Sequence, residues 1–310
     1  QRHSPPVLSW QAQRPMQPAS SIKVLTSAVA LDRLGPNLRG HTELRTRAAL
    51  EGGVLQGDLI WRGGADVELG LPQMWALLME LRQQGIREIQ GDMVLDRSLF
   101  TPGRMDIGVP PFDESPEFPY NVIPDALQLA GNLHPIELVA DDQRVQARLV
   151  PELPGIVLDN RLTLNQEACK DWDDKGWRTP ATEPTANGQI RLILQGSFPQ
   201  QCRQRASLQL MERNAQAQAQ LRWLWESLGG RWQGRVREGQ AGESDGTRVL
   251  VRREARPWGE LLRPLNKTSD NVYTRLLYLL MGVEEARMLA AQGRSLPSGT
   301  STSEAARAAV

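Results

Sequence analysis

The chain has 310 residues, of which 40% are apolar and 23% charged, and its formal net charge is zero. That length accommodates two or three domains of ordinary size, and no stretch approaches the roughly 18 to 20 apolar residues of a membrane span. The balanced charge argues against nucleic acid or anionic lipid as the main partner. Basic residues divide into 32 arginines and only four lysines (Lys23, Lys170, Lys175 and Lys267), so a motif that uses lysine carries unusual weight. Cys169 and Cys202 lie outside any CxxC spacing and either pair or stand as two separate buried thiols. His3, His41 and His134 are too far apart for a ligand spacing, so neither a metal nor a cofactor is expected. The opening Gln1-Arg2-His3-Ser4-Pro5-Pro6 contains no charged-then-apolar leader, which leaves a cytoplasmic chain or one already processed and trimmed.

In chain order, Ile22, Leu25, Ala28, Val29 and Ala30 form an apolar stripe that predicts a helix over 20–34, stopped by Gly35-Pro36. Ser20 and Ser21 stand at its start, where a serine can cap the free N–H groups. Alternation over 42–62 predicts a hairpin ending in Leu59-Ile60-Trp61, with Gly63-Gly64 as a turn. A helix over 73–84, Gly85 and a strand over 89–95 follow. Residues 101–124, rich in proline and acid, read as a long surface loop. Strands are expected at 136–150, 156–164 and 189–194. A second helix-glycine-strand run spans 216–236, and its likeness to the first is weak ground for an internal duplication. A strand over 248–252, helices over 257–265 and 271–280, and a fraying end over 293–310 complete the chain.

Two short motifs carry chemistry. Ser20-Ser21-Ile22-Lys23 places a hydroxyl and an amine three residues apart, on one face of a helix. A desolvated amine can take the proton of a serine, and a helix N-terminus offers N–H donors to a developing oxyanion. With four lysines and 16 serines the pattern is expected by chance on the order of 0.2 times. The second is Ser269-Asp270-Asn271, just before an apolar helix. Alone it reads as an N-capping turn, but it is also the companion of Ser-x-x-Lys in serine acyl-transferases, whose third element is a Lys-Thr-Gly strand.

Pro18-Ala19-Ser20-Ser21-Ile22-Lys23, with Ala30-Leu31-Asp32 and Leu34-Gly35-Pro36, resembles the active-site helix of the low-molecular-mass penicillin-binding proteins that act as D-alanyl-D-alanine carboxypeptidases and endopeptidases. The resemblance continues through Trp61-Arg62-Gly63-Gly64-Ala65-Asp66, Gly91-Asp92-Met93-Val94-Leu95-Asp96 and Asn266-Lys267-Thr268-Ser269-Asp270-Asn271, and so covers the chain to about Val283. The interval of 249 residues between the two motif serines resembles the subtype whose catalytic domain is split by inserted domains. The implied fold is multi-domain α/β (α+β): a serine β-lactamase/DD-peptidase-like catalytic domain from residues 1–42 and 241–310, with mostly β inserted domains over 43–240.

The resemblance further implies Ser20 as the acylated nucleophile, Lys23 as its base, Ser269 as a proton relay toward the leaving amine, and Asn271 as a ligand for the backbone of the substrate peptide. Asp113 is the candidate for an acidic residue that the family brings from an inserted domain to the peptide side chain. By the same resemblance Cys169 and Cys202 fall in the inserted region, where a disulfide is the favoured reading. Implied partners are peptidoglycan stem peptides and β-lactam antibiotics, and the implied location is the periplasm; peripheral membrane association and oligomeric state are left open. One departure stands out, because no Lys-Thr-Gly or Lys-Ser-Gly occurs and Ser298-Gly299-Thr300 lacks the lysine. The expectation is a truncated enzyme with an exposed sheet edge, and the alternative is a non-catalytic peptidoglycan-binding relative. A β-lactamase is disfavoured by the inserted region.

Overall fold

Residues 8–309 are described by the computed structural model, so His3, the rest of the opening stretch and Val310 lie outside the described residues. A 3-10 turn over Ala19–Ser21 leads into α1 (Ile22–Leu34), which Gly35 ends with φ 75°. Neither serine caps it, since Ser21 Oγ donates to the Pro18 carbonyl and no side-chain cap bond forms. The expected apolar stripe divides: Ile22 and Leu25 are 45% and 54% exposed, while Val29 and Ala30 turn to the core on the same side as buried Lys23 and Ser27. Polar contacts, described below, join this aliphatic packing in setting the rotation of the helix.

Strand β1 (Arg39–Thr46) is followed by a tight hairpin of β2 (Leu50–Glu51) and β3 (Val54–Leu55), and by β4 (Leu59–Gly64), antiparallel to β1 with Thr42 opposite Gly63. The glycine pair expected as a turn is therefore the end of a strand. A Cβ on Gly63 would lie 2.3 Å from the Ala126 carbonyl oxygen, and one on Gly64 2.4 Å from the His41 ring. These glycines serve close approach, not bending. Helix α2 (Leu71–Gln83) precedes β5 (Glu88–Ile89) and β6 (Met93–Asp96), so the single strand expected over 89–95 is broken in two. The 101–124 segment is irregular, apart from a 3-10 turn over Pro119–Asn121.

A mostly β region follows, with β7 (His134–Ala140), β8 (Val145–Leu149), β9 (Ile156–Asn160), β10 (Thr163–Asn165), β11 (Trp177–Pro184), β12 (Ile190–Pro199) and β13 (Arg203–Leu208). β11 and β13 escape sequence reading because they are largely exposed and polar, with no apolar run to mark them. A disulfide joins Cys169 to Cys202 across a Cα separation of 5.3 Å and ties a short turn to the start of β13.

Helix α3 (Arg213–Ser227) is capped by Glu212, which accepts from Asn214 N and Ala215 N. After it come β14 (Arg231–Trp232) and β15 (Val236–Glu238). The two helix-glycine-strand runs lie side by side, β5 parallel to β14 and β6 parallel to β15. Each is interrupted where the backbones touch, a Cβ on Gly234 falling 2.1 Å from the Gly91 carbonyl oxygen. The chain ends with β16 (Arg248–Pro257), α4 (Trp258–Thr268), α5 (Asn271–Ala291) and α6 (Thr302–Ala309). The end expected to fray is instead a helix packed on α5. Its Ala305 and Ala306 are buried, and Gly282 lets the Thr302 carbonyl come within 2.2 Å of where a Cβ would be.

The strands form sheets of order β15-β6-β4-β1-β16, β14-β5-β3-β2, β13-β7-β8 and β10-β12-β11, with β9 also paired to β12. The architecture is thus multi-domain α+β. Among the described residues, three cores hold it: one around Leu44, Trp61, Leu78 and Trp225, one around Ile136, Leu192 and Phe198, and one around Phe100, Trp258 and Leu276. The third core joins the two ends of the chain, because Ala30 of α1 packs there with α4 and α5. No described helix is long and apolar enough to cross a membrane.

His134 is fully buried, its Nε2 2.8 Å from the Pro151 carbonyl and its Nδ1 3.3 Å from Gln220 Nε2. Burial holds its pKa below the ordinary 6.5, against a weaker upward pull from that carbonyl, and burial together with Arg252 shifts His41 the same way. Both rings take up a proton at lower pH in the fold than in the unfolded chain, so the unfolded state binds more protons as pH falls. Stability is therefore expected to be fully present above about pH 6.5 and to drop below it, by at most about 1.4 kcal/mol per pH unit for each ring. His134→Gln should flatten the fall in melting temperature between about pH 6.5 and 5.5. An unchanged slope would contradict this account. Ser269 ends α4 in the left-handed region, at φ 57° and ψ 42°. Urea denaturation should accordingly find Ser269→Gly more stable than Ser269→Ala by about 1 kcal/mol.

Candidate active site

The 3-10 turn at the start of α1 leaves the Ser20 hydroxyl on the same side as Lys23, one turn on. Lys23 Nζ donates to Ser20 Oγ at 2.9 Å and to Ser269 Oγ, also at 2.9 Å, although Ser269 lies 246 residues away. Lys23 is 8% exposed, while both serines are open to solvent. Among the described residues no carboxylate pairs with this amine. Ser27, on the same inward face, accepts from Asn266 Nδ2 at 3.1 Å, and that amide also donates to the Leu262 carbonyl. A second polar contact thus pins α1 to α4 beside the first.

Ser269-Asp270-Asn271 lies between α4 and α5, and each residue has a separate task. Ser269 takes the left-handed backbone that ends α4 and turns its hydroxyl to Lys23. Asp270 Oδ1 accepts from Tyr273 N at 2.9 Å and caps α5. The capping reading of this triplet and its chemical reading therefore hold together. Ala19, just before the nucleophile candidate, also has a positive φ of 44°. Two strained backbones flank the amine, as at sites whose geometry the surroundings impose. Tyr273 donates to the Val67 carbonyl at 2.9 Å, and burial together with the Asp270 charge pushes its phenol up to about 12.

Asn271 Nδ2 donates to the Tyr120 carbonyl at 3.0 Å, which brings the 101–124 loop against the triplet. Asp113 touches none of the other four candidates directly. Its Oδ1 accepts from Ser115 N at 2.9 Å and from Asn121 Nδ2 at 2.6 Å, so it is tied into the same 3-10 turn that meets Asn271. Burial, then the Asp113 charge, raises the pKa of Tyr120. The structure thus gathers Ser20, Lys23 and Ser269 at one amine, sets Asn271 beside them, and holds Asp113 one turn of the loop away.

Sequence reasoning missed Ser27, Asn266 and Tyr120. Ser27 was findable, since Ser20, Lys23 and Ser27 form a polar stripe at helical spacing in an otherwise aliphatic helix. Asn266 and Tyr120 give no such signal, because their roles depend on contacts made across 239 and 151 residues.

The sequence matches the D-Ala-D-Ala carboxypeptidase 3 (S13) family over residues 2–296. It is 40% identical over 86 residues to the D-alanyl-D-alanine carboxypeptidase DacB of Haemophilus influenzae, a stretch that is 28% of this chain and 18% of that protein. In structure it is similar to penicillin binding protein 4 (dacB) from Haemophilus influenzae, with TM-score 0.66 and 23% identity over 94% of this chain and 66% of that one. It is also similar to that protein complexed with a novel beta-lactam, with TM-score 0.62 and 22% identity over 90% of this chain and 61% of that one. The chain spans less than two thirds of the length of these relatives, and at such identity the structural likeness speaks for the fold. The family match, by contrast, runs over nearly the whole sequence, and the chain belongs to the D-Ala-D-Ala carboxypeptidase 3 (S13) family.

Proposed function

We propose that this protein is a serine-type D-alanyl-D-alanine carboxypeptidase and endopeptidase of the periplasm, which cleaves peptidoglycan stem peptides through an acyl-enzyme and is acylated by penicillins. The observation that carries this reading is one amine shared by two hydroxyls, Lys23 Nζ being 2.9 Å from both Ser20 Oγ and Ser269 Oγ. When Lys23 is neutral, the Ser20 hydroxyl donates to Nζ and loses its proton as Oγ attacks the carbonyl of the penultimate D-alanine. The peptide C–N bond then breaks. The proton passes from Lys23 through the Ser269 hydroxyl to the departing amine, which leaves as free D-alanine or as the cross-linked neighbour. Water, activated by the same pair, hydrolyses the ester and restores Ser20.

The Asn271 amide binds the backbone of the acyl-donor peptide, after exchanging its bond to the Tyr120 carbonyl for one to substrate. Asp113, on the loop that supplies Tyr120, meets the side chain of the peptide. We further read the chain as residues 1–42 and 241–310 of a catalytic domain, with inserted domains over 43–240. The core that unites Ala30, Trp258 and Leu276 supports the joining of the two catalytic segments, with Ala65, Phe100 and Ala126 of the intervening span packed in the same cluster.

Incubation of the full-length protein with a fluorescent penicillin, followed by digestion, should place the label on the peptide that bears Ser20. Ser20→Ala should abolish labelling, and Lys23→Ala should slow it at least about a thousandfold while leaving the melting temperature within a few degrees. Absence of label on that peptide would sink the acyl-enzyme. Retained binding of stem-peptide fragments without acylation would favour the non-catalytic alternative.

A further inference from the structure

Away from Ser20, the 101–124 loop, α5 and the residues leading into α3 enclose a cavity of about 510 Å³. Helix α6 closes part of it, Tyr278 Oη donating to the Ser303 carbonyl at 3.0 Å. That volume is in the range of small-molecule sites. The walls are mainly apolar, with Pro110, Pro111, Phe112, Ile123 and Leu279 among them. Prolines make such a wall stiff and free of N–H donors. Phe112, at 80% exposure, stands open to an arriving ligand.

The polar groups of the lining divide into those already satisfied and those not. Asp106 accepts from Arg104, Arg213 donates to Asp125 and to the Ile123 carbonyl, and Asn121 donates to Asp113. Gln209 Oε1 accepts no hydrogen bond but is sealed from solvent, out of a ligand's reach. One group remains. Arg275, one helical turn beyond Asn271, is partly buried and, among the described residues, pairs with no carboxylate and donates no hydrogen bond. A guanidinium in apolar surroundings lacks its natural carboxylate partner. A ligand that brings a carboxylate on an apolar body supplies it.

We propose that this cavity binds a carboxylate on an apolar body, the chemistry of an N-acylated hydrophobic amino acid. The carboxylate pairs with Arg275, and the apolar body lies against Pro110, Pro111 and Leu279. The site is separate from Ser20 yet not isolated from it. Asn121 lines the cavity, and its neighbour Tyr120 supplies the carbonyl that Asn271 holds. An occupant therefore braces the loop at the point where it meets the triplet.

The test is calorimetric titration of the full chain with N-acetyl-L-phenylalanine, beside its uncharged analogue N-acetyl-L-phenylalaninamide. Expected are saturable binding of the acid at one site and at least tenfold weaker binding of the amide. The acid should also bind at least tenfold more weakly to Arg275→Gln, with an unchanged melting temperature, and with full affinity to Lys23→Ala. The last variant distinguishes the cavity from the Ser20 cleft, and none of these readings depends on acylation. No saturable binding of the acid, equal binding of acid and amide, or binding lost in Lys23→Ala but kept in Arg275→Gln would overturn the proposal. The comparison of acid with amide decides the matter on the unaltered protein even if Arg275→Gln does not fold.

Discussion

One amine, lodged between two hydroxyls, organises this molecule. Lys23 is 8% exposed and meets no carboxylate among the described residues, so its polar head depends on Ser20 and Ser269. A buried cationic or amine group with no partner is costly, which means that the hydroxyls are needed by the fold as well as useful to chemistry. Their demand explains why α1 turns Lys23, Ser27 and Ala30 inward and leaves Ile22, Val24 and Leu25 to solvent. It also explains why two distant segments end up in one core. Ser269 reaches Lys23 only if α4 and α5 pack on α1, and the Ser27–Asn266 contact repeats the same attachment one turn along.

The second constraint concerns the 101–124 loop, which has almost no regular structure and yet carries Asp113 and Tyr120. Buried charge pairs hold it, beside backbone bonds from Gln209 N to the Glu117 carbonyl and from Thr302 N to the Thr101 carbonyl. Buried Arg97 and Arg213 both meet Asp125, at 3.3 and 2.8 Å, while Arg104 of the loop joins Asp106 and reaches Glu238 of β15. Breaking a buried pair of this kind typically costs about 3 to 5 kcal/mol, because the remaining charge is left uncompensated. A loop so anchored can present Tyr120 to Asn271 with the rigidity a site needs. It can also wall a cavity without collapsing into it.

Much of this was legible in the sequence because the informative signals are local. Ser20 and Lys23 are three residues apart, Ser269 and Asn271 two, and the rarity of lysine made the first motif stand out. The glycines that stop α1 and α2 mark real helix ends. What sequence could not supply was anything that depends on a neighbour far along the chain. Gly63 and Gly64 look like a turn and are strand residues, because what they accommodate is the Ala126 backbone and the His41 ring. The terminal Ala-rich run looks frayed and is a helix, because Gly282 on α5 offers it a flat surface. β11 and β13 lack apolar alternation because they are mostly exposed. The apolar stripe of α1 marks a real helix but divides between solvent at Ile22 and Leu25 and core at Val29 and Ala30, since periodicity gives the existence of a face and not its surroundings.

The account rests on Lys23 and Ser269 being physically coupled. A double-mutant cycle of Lys23→Met and Ser269→Ala, read by urea denaturation, measures that coupling directly. Contact between the two side chains predicts a non-additive term of about 0.5 kcal/mol or more. Strict additivity would show that the two ends of the chain do not meet at this amine.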